Sequence, residues 1–357
     1  MTACVRVEAA AAREPVAVAL LGTGTVGAAF AQRIERLGRN SYPALALAYA
    51  ANARGAVHDR GGLDAPHAVA TLRARARPQR EARPPELPAG AIIVDATADD
   101  GIAASHARWL ARGHAVVSAN KLGLAGSLSR YLEIRGACGG RDAYGDAATV
   151  GAGLPVLRTL RELRAGGDRI VSIAGVLSGS LGWLLDGYDG TEAFSERVNR
   201  ARALGYTEPD PRVDLSGQDV LRKLLILART AGVALEPAKV EVESLLRDGS
   251  TPDTPESRDP DFTALDAPLA GRVRAASSDG RVLRYVARFD ANGARVGLEA
   301  LPPDDPLAHG RGCDNRVAIH SCRYAERPLV IQGPGAGGDV TAAALLDDVL
   351  RIARRIG

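Results

Sequence analysis

The chain has 357 residues, of which 46% are hydrophobic and 24% are charged, and its formal net charge is only +3. This length and composition are typical of two ordinary globular domains that bury substantial cores. No stretch approaches the ~20 consecutive apolar residues of a membrane-spanning helix, so the composition excludes an integral membrane protein.

The N-terminal residues 1–14 are predicted to form a disordered extension. They contain acids and lack an apolar stretch, so they do not have the pattern of a signal peptide. The cysteines show neither metal-binding spacing nor a disulfide framework, which favours a reducing compartment, the cytoplasm. They are Cys4, Cys138, Cys313 and Cys322.

A nucleotide-binding fingerprint follows the extension. Residues 15–21 form an apolar run typical of a buried parallel strand, a glycine motif follows at once, and helical spacing then continues to Gly38. This order predicts a dinucleotide whose diphosphate lies at the helix N-terminus. The expected contacts are Gly22, Gly24, Thr25, Val26 and Gly27. The alternative is a structural tight turn.

The second predicted strand, 44–51, indicates which dinucleotide binds. An NAD site normally has an acid at the end of this strand to accept a hydrogen bond from the ribose 2′-OH, whereas Asn52 and Arg54 stand here. Both side chains could receive a 2′-phosphate, so the sequence favours NADP(H) over NAD(H). The alternative for Arg54 is a solvated loop cation.

Arginines are concentrated in residues 73–83, between the second and third predicted strands. No aromatic residues are interleaved with them, so the pattern favours a solvated loop over a nucleic-acid patch. We therefore expect no nucleic-acid partner and no membrane partner.

Two further apolar segments, 91–97 and 114–121, each end in small polar residues. In doubly wound sheets the ligand lies outside the carboxyl ends of the strands, so these residues should face the cofactor crevice. They are Thr97, Ser118, Asn120 and Lys121. A lysine that closes a buried strand is unusual without a partner.

The segment 203–232 concentrates ionisable groups and then enters an apolar helix. Two prolines should hold its first part extended, and the helix is predicted to begin near Ser216, with Asp219 in the first turn as part of a capping box. Asp219 and Lys223 are then neighbours one turn apart on a partly buried face. We interpret this pair as part of an active site. The alternative interpretation is an ordinary surface ion pair. The other carboxylates are Glu208, Asp210 and Asp214.

The remaining pattern predicts a second domain. Helical spacing occurs at 154–164, 195–204 and 238–249, strand patterns at 169–178, 282–290, 294–302 and 315–324, and a strand, glycine loop and helix at 329–356. The predicted fold is α/β: a Rossmann domain at 15–150 and an α+β catalytic and dimerisation domain with a mostly antiparallel sheet at 151–332. Residues 333–357 should return to the nucleotide domain and bring Gly335 against the cofactor. A second phosphate loop is disfavoured because its lysine is missing.

Six motifs, in this order, resemble those of homoserine dehydrogenase. They are GTGTVG at 22–27, VVSANK at 116–121, TVGAGLPVL at 149–157, GVLSGSLGWLL at 175–185, LGYTEPDPRVDLSGQDVLRKLLILAR at 204–229 and GPGAGGDVTA at 333–342. The pattern is most similar to the dehydrogenase half of bifunctional aspartokinase/homoserine dehydrogenases. The resemblance implies a short, monofunctional form.

The resemblance also implies an activity, the reversible NAD(P)-dependent interconversion of L-homoserine and L-aspartate 4-semialdehyde in threonine, methionine and isoleucine biosynthesis. Lys223 is the expected proton-transfer group, because moving a hydride to or from a carbinol carbon requires a proton at the oxygen. Asp219 would orient it, and Lys121 would be a second cation that makes proton loss easier. The division of labour between the two lysines stays open.

The substrate would be held by neighbouring groups. Glu208 is expected to bind the α-ammonium group, and Asp214 either shares that role or pairs with Lys121. Hydrogen bonds from Tyr206 and from the backbone around Gly179 and Ser180 would hold the carboxylate or the hydroxyl. The competing hypothesis is a non-catalytic NADP-binding regulatory or scaffold protein of the same fold, since fold alone does not establish activity.

The family resemblance adds a monovalent cation, Na⁺ or K⁺, bound by main-chain carbonyls. Its expected ligands are Ala147, Val150, Ala152 and Leu154. Relatives often carry an acid where Ala147 stands, whereas the acid here is Asp146, so weaker binding is expected. The alternative is a glycine-bearing turn from a strand into a helix.

A homodimer is expected. The strands between residues 282 and 324 form a small sheet, and one face of this sheet has to be covered by another part of the protein or by a second subunit. In the family this cover is the same sheet of a second subunit, with Val317 and Ile319 as expected interface positions. The alternative is cover by helices around Leu245 and Leu345 of the same chain.

Overall fold

The computed structural model describes residues 14–37, 42–76, 87–246, 260–310 and 312–356. The predicted extension up to residue 13, Cys4, Gly38 and most of the arginine-rich segment lie outside the described residues. Among the described residues, no helix combines the length and apolar surface needed to cross a membrane.

The first domain is built on a six-stranded sheet with the order β3-β2-β1-β4-β5-β6. Neighbouring strands are parallel except β3, which folds back antiparallel on β2. The central strands are buried on both faces, which explains their nearly continuous apolar sequence. The strands are β1 (Val16–Leu21), β2 (Leu45–Asn52), β3 (Gly55–His58), β4 (Ile92–Asp95), β5 (Ala115–Ser118) and β6 (Tyr144–Gly145).

Six helices connect these strands. The first of them buries Phe30, Ala31 and Ile34 against the sheet, as its helical spacing predicts. The helices are α1 (Thr25–Leu37), α2 (Ala65–Ala74), α3 (Asp100–Ala104), α4 (His106–Ala111), α5 (Leu122–Ala125) and α6 (Leu128–Ala137).

The second domain contains a six-stranded sheet with the order β12-β11-β7-β9-β10-β8. All neighbouring strands are antiparallel except β8 and β10. The predicted fold class, a Rossmann domain with an α+β domain that has a mostly antiparallel sheet, is therefore confirmed. The strands are β7 (Ile170–Val176), β8 (Val240–Val242), β9 (Val282–Asp290), β10 (Gly293–Leu301), β11 (Asp314–Ser321) and β12 (Leu329–Pro334).

The helix α11 lies at the centre of the packing between the domains, and ten of its thirteen residues are buried. This helix packs against β9 and α7 and reaches α5 of the first domain, so it joins the two cores. The helices of this domain are α7 (Val156–Ala165), α8 (Gly179–Leu185), α9 (Phe194–Ala203), α10 (Arg212–Leu215), α11 (Gln218–Thr230) and α12 (Asp266–Ser278). Short 3-10 helices lie at Ala147–Thr149, Pro237–Lys239 and Thr263–Leu265.

The last helix, α13 (Gly338–Ile356), packs on α1 and on β4, β5 and β6. Its buried residues include Ala342, Leu345 and Val349. The chain thus ends on the nucleotide domain after crossing from the second sheet through β12, which spans the predicted domain limit at residue 332. The domain limits themselves stay a prediction.

Two predicted helix features are wrong. The helix expected at 238–249 is a 3-10 turn followed by β8, because the alternating Val240–Val242 segment pairs with β10 and forms the edge of the second sheet. The helix predicted to begin near Ser216 is α11, which begins at Gln218 after left-handed Gly217, and the Ser216 hydroxyl accepts from the Gln218 N–H. The predicted capping box is absent, because the Asp219 carboxylate binds two lysines instead. The one-turn helix α10 also occupies part of the segment expected to be extended.

The interface positions expected on the second sheet are also wrong. Val317 and Ile319 are fully buried in the main core of this chain, so a charge there would disrupt folding. The opposite face carries Ala318, which pairs with Val330 of β12. Leu307 and other loop residues cover Ala318, whereas Val330 is exposed. Leu245 lies in no helix, and Leu345 packs in the main core.

Candidate active site

The glycine loop after β1 has the shape of a diphosphate cradle. A Cβ on Gly22 would lie 2.6 Å from the Ala96 carbonyl oxygen, and one on Gly27 would lie 2.0 Å from the Gly22 carbonyl oxygen. By contrast, the space beside Gly24 is open at the N-terminus of α1. Free backbone N–H groups and the helix dipole attract anions at this point, so the loop fits a dinucleotide through Gly24, Thr25 and Val26.

The end of β2 presents Arg54 rather than Asn52. The Asn52 side-chain nitrogen donates to Thr23 Oγ1 at 2.8 Å and to the Leu72 carbonyl at 3.1 Å, so both of its protons are used inside the domain. Arg54 is exposed, and one guanidinium nitrogen donates to the Arg73 carbonyl at 2.7 Å. Its remaining donors have no further partner among the described residues, so they can bind an anion.

The end of β4 contains a buried polar chain that the sequence analysis did not identify. His106 Nε2 lies 2.9 Å from Asp95 Oδ2, and His106 Nδ1 lies 2.9 Å from the Tyr144 hydroxyl. Burial raises the pKa of Tyr144, so the phenol stays protonated. The other Asp95 oxygen accepts from the Thr97 backbone N–H at 2.9 Å and from its hydroxyl at 2.6 Å. This chain fixes the loop that carries Thr97.

The end of β5 places Lys121 beside that loop. Ser118 is fully buried, and its hydroxyl donates to the Asn120 carbonyl and accepts from the Asn120 N–H. The Asn120 amide donates to the Asp99 carbonyl at 2.8 Å. Ser118 and Asn120 therefore hold the turn from within, and Lys121 is the residue that projects toward the second domain.

Lys121 contacts α11 at a carboxylate that two lysines share. Asp219 Oδ1 lies 3.2 Å from Lys121 Nζ, and Asp219 Oδ2 lies 2.8 Å from Lys223 Nζ. Lys223 also donates to the Leu177 carbonyl at 2.7 Å. The predicted ion pair of Asp219 and Lys223 thus extends across the contact between the domains.

Electrostatics keeps Asp219 ionised. Burial disfavours its charge, but the nearby Lys223 and Lys121 outweigh burial and hold the pKa of the carboxyl well below its usual range. An ionised carboxylate accepts from both ammonium groups and orients them. The side chain of Lys223 is only 10% exposed, compared with 28% for Lys121.

Two further carboxylates lie beside this trio. Asp214 accepts from the Ser180 hydroxyl at 2.6 Å and from the Glu208 backbone N–H at 2.8 Å, and it forms no ion pair with Lys121 among the described residues. Burial, together with Asp214 and Asp219, raises the pKa of Glu208. Burial also raises the pKa of Asp214. Such a crowded set of carboxylates is suited to bind a cationic group.

Tyr206 lies at the margin of this cluster. It is partly exposed, and its ring stacks on Trp183 of α8 with ring centroids 5.2 Å apart. Asp210 points elsewhere, because it accepts from the guanidinium of Arg212 at 3.0 Å. The fourth carboxylate of the segment is therefore structural.

Backbone from three segments closes the site. A Cβ on Gly179, at the start of α8, would lie 3.0 Å from the Cys313 carbonyl oxygen. A Cβ on Gly335 would overlap the side chain of Asn315, and one on Gly338 would lie 2.7 Å from Thr25 Cγ2. The glycine loop after β12 therefore reaches the N-terminus of α1, next to the diphosphate cradle.

The segment proposed to bind a cation forms a tight turn. Gly151 and Ala152 both have left-handed backbone conformations, with φ of 73° and 50°. A left-handed Ala is strained, and such strain is common where main-chain carbonyls must converge. Asp146, which lies shortly before this turn, stays ionised and paired with two arginines. Burial disfavours its charge, but Arg161 and Arg135 outweigh burial and hold the pKa of its carboxyl below the usual range.

The fold and the site define a class: an oxidoreductase with a nicotinamide-dinucleotide-binding Rossmann domain and a second domain that brings a lysine and carboxylates to the cofactor cleft. The family model "Homoserine dehydrogenase, NAD binding domain" matches residues 22–141, and the homoserine dehydrogenase model matches residues 155–350. The chain belongs to the homoserine dehydrogenase family, as its six motifs predicted.

Individual proteins agree with this assignment. The chain is 35% identical to the homoserine dehydrogenase of Emericella nidulans, over 96% of this chain and 99% of the relative. It is 42% identical to the bifunctional aspartokinase/homoserine dehydrogenase 2 of Escherichia coli, over 96% of this chain but only 44% of that protein. A hyperthermophilic archaeal homoserine dehydrogenase, solved in complex with NADPH, has the same fold, with a TM-score of 0.74 at 23% identity over 96% and 98% of the two chains.

Sequence reasoning missed three participants at this site. The Leu177 carbonyl was missed because backbone acceptors leave no mark in a sequence, and Asn315 because it stands alone in a strand pattern. His106 could have been noticed as a histidine in an otherwise ordinary helix, but its partner Asp95 lies in a different element.

Proposed function

We propose that this protein is a homoserine dehydrogenase that interconverts L-homoserine and L-aspartate 4-semialdehyde with NADP(H). The observation that carries the proposal is the cluster of Lys121, Asp219 and Lys223, which joins the end of β5 to α11 and lies near the carboxylates of Glu208 and Asp214. A non-catalytic protein of this fold has no need for two lysines on one carboxylate.

The bound cofactor supplies the hydride, and the chain supplies positions and protons. In the reductive direction, Lys223 donates a proton to the oxygen of the semialdehyde as negative charge develops there. Asp219 and the Leu177 carbonyl hold its ammonium group in one orientation. In the oxidative direction, the same nitrogen accepts the proton of the homoserine hydroxyl.

The substrate amino group is bound by Glu208. Its carboxylate lies near Lys121 and Asp219, which form the reacting end of the site, and near Asp214. Asp214 is held by Ser180, so it supports Glu208 electrostatically instead of binding Lys121. Tyr206 and the backbone at Gly179 and Ser180 complete the contacts to the substrate carboxylate.

The cofactor is NADP(H) in preference to NAD(H). Arg54 is exposed at the end of β2 with donors to spare, and no acid follows the strand to bind a ribose 2′-OH. The backbone around Gly24 and Gly335 would hold the diphosphate, and Thr97 and Lys121 would line the nicotinamide end. Asn52 and Ser118 would act through the loops that they hold.

A monovalent cation at the carbonyls of Ala147, Val150, Ala152 and Leu154 remains part of the proposal. Its support is the left-handed turn at Gly151 and Ala152. The Ala147 N–H donates to Asp348 of α13 at 2.9 Å, so the loop is also tied to the last helix.

The protein is further proposed to work as a cytoplasmic homodimer. The support for the dimer is the outer face of the second sheet, where Val330 is exposed beside Ala318. The support for a reducing compartment is that all three cysteines in the described part of the chain are free, namely Cys138, Cys313 and Cys322.

One experiment tests the activity. Purified protein is mixed with NADPH and L-aspartate 4-semialdehyde, and loss of the absorbance of reduced nicotinamide is followed, with L-homoserine identified as product. Turnover that depends on the semialdehyde supports the enzyme. NADPH binding without turnover would support the regulatory or scaffold alternative.

A further inference from the structure

Asn315 is a buried side chain without partners at the edge of the candidate active site. The residue is 1% exposed, and neither its amide oxygen nor its amide nitrogen has a hydrogen-bond partner among the described residues. Buried amides normally satisfy both atoms, because leaving them unpaired costs free energy. Asn120, 2% exposed, shows the usual pattern: its nitrogen donates to Asp99 and its oxygen accepts from Leu122.

The position of Asn315 links two parts of the site. In β11 it pairs with Gly333 of β12, while the next residue, Arg316, pairs with Val176 at the end of β7. One residue beyond Val176 is Leu177, whose carbonyl binds the ammonium group of Lys223. Asn315 thus lies at the end of the sheet where the proton-transfer lysine is held.

The same side chain lies under the second glycine loop. A Cβ on Gly335 would be 1.9 Å from Asn315 Cγ, so only glycine fits above this amide. Three residues later the loop contacts Thr25 at the N-terminus of α1, where the cofactor diphosphate is expected. Asn315 is therefore placed between the expected diphosphate and Lys223, which is where the nicotinamide half of a cofactor has to lie to react.

We propose that the Asn315 amide hydrogen-bonds the carboxamide of the bound nicotinamide ring and so fixes which face of the ring is turned toward the substrate. The inference rests on the proposed cofactor. A side-chain amide presents one acceptor beside two donors, and a carboxamide presents the complementary pair. Carboxylate and diphosphate groups only accept and an ammonium group only donates, so each would leave one atom of Asn315 unpaired.

The first test separates ligand binding from folding. Asn315→Leu removes both polar atoms at similar volume, so the melting temperature of the ligand-free protein should stay the same or rise. NADPH affinity, measured by fluorescence titration without turnover, should fall about 5- to 30-fold because up to two hydrogen bonds are lost. Affinity for adenosine 2′,5′-bisphosphate, which lacks the nicotinamide half, should not change.

Asn120→Leu is the matched control, because it makes the same change at a buried asparagine whose amide is fully bonded. It should lower the melting temperature. If Asn315→Leu also lowers the melting temperature and leaves NADPH affinity unchanged, the Asn315 amide is bonded within the protein or to water, and the inference is overturned.

The second test identifies the carboxamide. The acetylpyridine analogue of NADP⁺ keeps the carbonyl and loses the amide donor. The unmodified protein should bind it several-fold more weakly than NADP⁺, and Asn315→Leu should bind the two cofactors about equally. If the variant still discriminates as the unmodified protein does, Asn315 contacts another group, such as a ribose hydroxyl, and the inference is wrong.

Other outcomes are also decisive. Should Asn315→Leu fail to fold, Asn315→Asp replaces it, since loss of the donor and gain of charge must also change the discrimination. NADPH binding without turnover would refute the proposed function while leaving the Asn315 test intact. Absence of any nicotinamide cofactor binding would overturn both.

Discussion

Replacing Lys223 by methionine tests the proton-transfer role most directly. The change removes the Nζ that lies 2.8 Å from Asp219 and 2.7 Å from the Leu177 carbonyl, and it keeps the length of the side chain. Loss of a positioned general acid should lower kcat about a hundred- to ten-thousand-fold. NADPH affinity should hardly change, because the cofactor loops lie on other elements.

The same structure predicts that this variant folds. Asp219 keeps Lys121 at 3.2 Å, so the carboxylate is still paired after the substitution. The Leu177 carbonyl loses its partner, and Asp219 loses the nearer of its two lysines. Each loss costs about 1–3 kcal/mol, and the buried methionine offsets part of that cost. The free energy of unfolding, measured with urea, should therefore fall by about 1–4 kcal/mol.

The assay is the rate of NADPH oxidation at saturating semialdehyde, with cofactor affinity measured separately by fluorescence. Lys121→Met is the matched control: it removes the more exposed lysine and leaves the pair of Lys223 and Asp219 intact. Its kcat should fall less. A Lys223→Met enzyme within about tenfold of the parent, together with a larger loss in Lys121→Met, would reverse the roles of the two lysines.

Four more predictions concern binding and stability. Burial and neighbouring carboxylates raise the pKa of Glu208, so KM for the semialdehyde should rise as pH falls, beginning above the usual titration range of a glutamate. The Glu208→Gln variant should have a high KM that does not depend on pH in this range. A pH-independent KM in the unmodified protein would contradict the role of Glu208. Arg54→Ala should lower the kcat/KM ratio of NADPH to NADH mainly through KM, and an unchanged ratio would remove Arg54 from cofactor selection. Light scattering should show a dimer of about twice 37.2 kDa for the unmodified protein and single chains for Val330→Glu. The control Val233→Glu, at an equally exposed valine, should stay dimeric. An unmodified protein that is already a single chain would refute the dimer. Asp146→Asn should lower the free energy of unfolding by about 3 kcal/mol because it leaves two arginines without their buried carboxylate, and an unchanged urea midpoint would show that the network is dispensable.

Much of this protein is determined by local sequence. The apolar run, glycine motif and helix at the N-terminus predict β1, its cradle and α1, because the strand, the close approaches at Gly22 and Gly27 and the helix spacing are all local requirements. The one-turn spacing of Asp219 and Lys223 likewise predicts their ion pair, since residues four apart meet on a helix.

Tertiary structure decided which groups share a partner and which face of each strand is buried. Lys121 is nearly a hundred residues from Asp219, so their contact follows from the packing of α5 against α11 and not from any local pattern. The alternating pattern of β11 predicted a strand but not which of its two faces is buried, and Val317 lies on the buried face. A period of two defines two faces without naming the inner one, because that depends on the elements that pack against the sheet. Asn315 shares this face, and its place beneath Gly335 follows from the same packing.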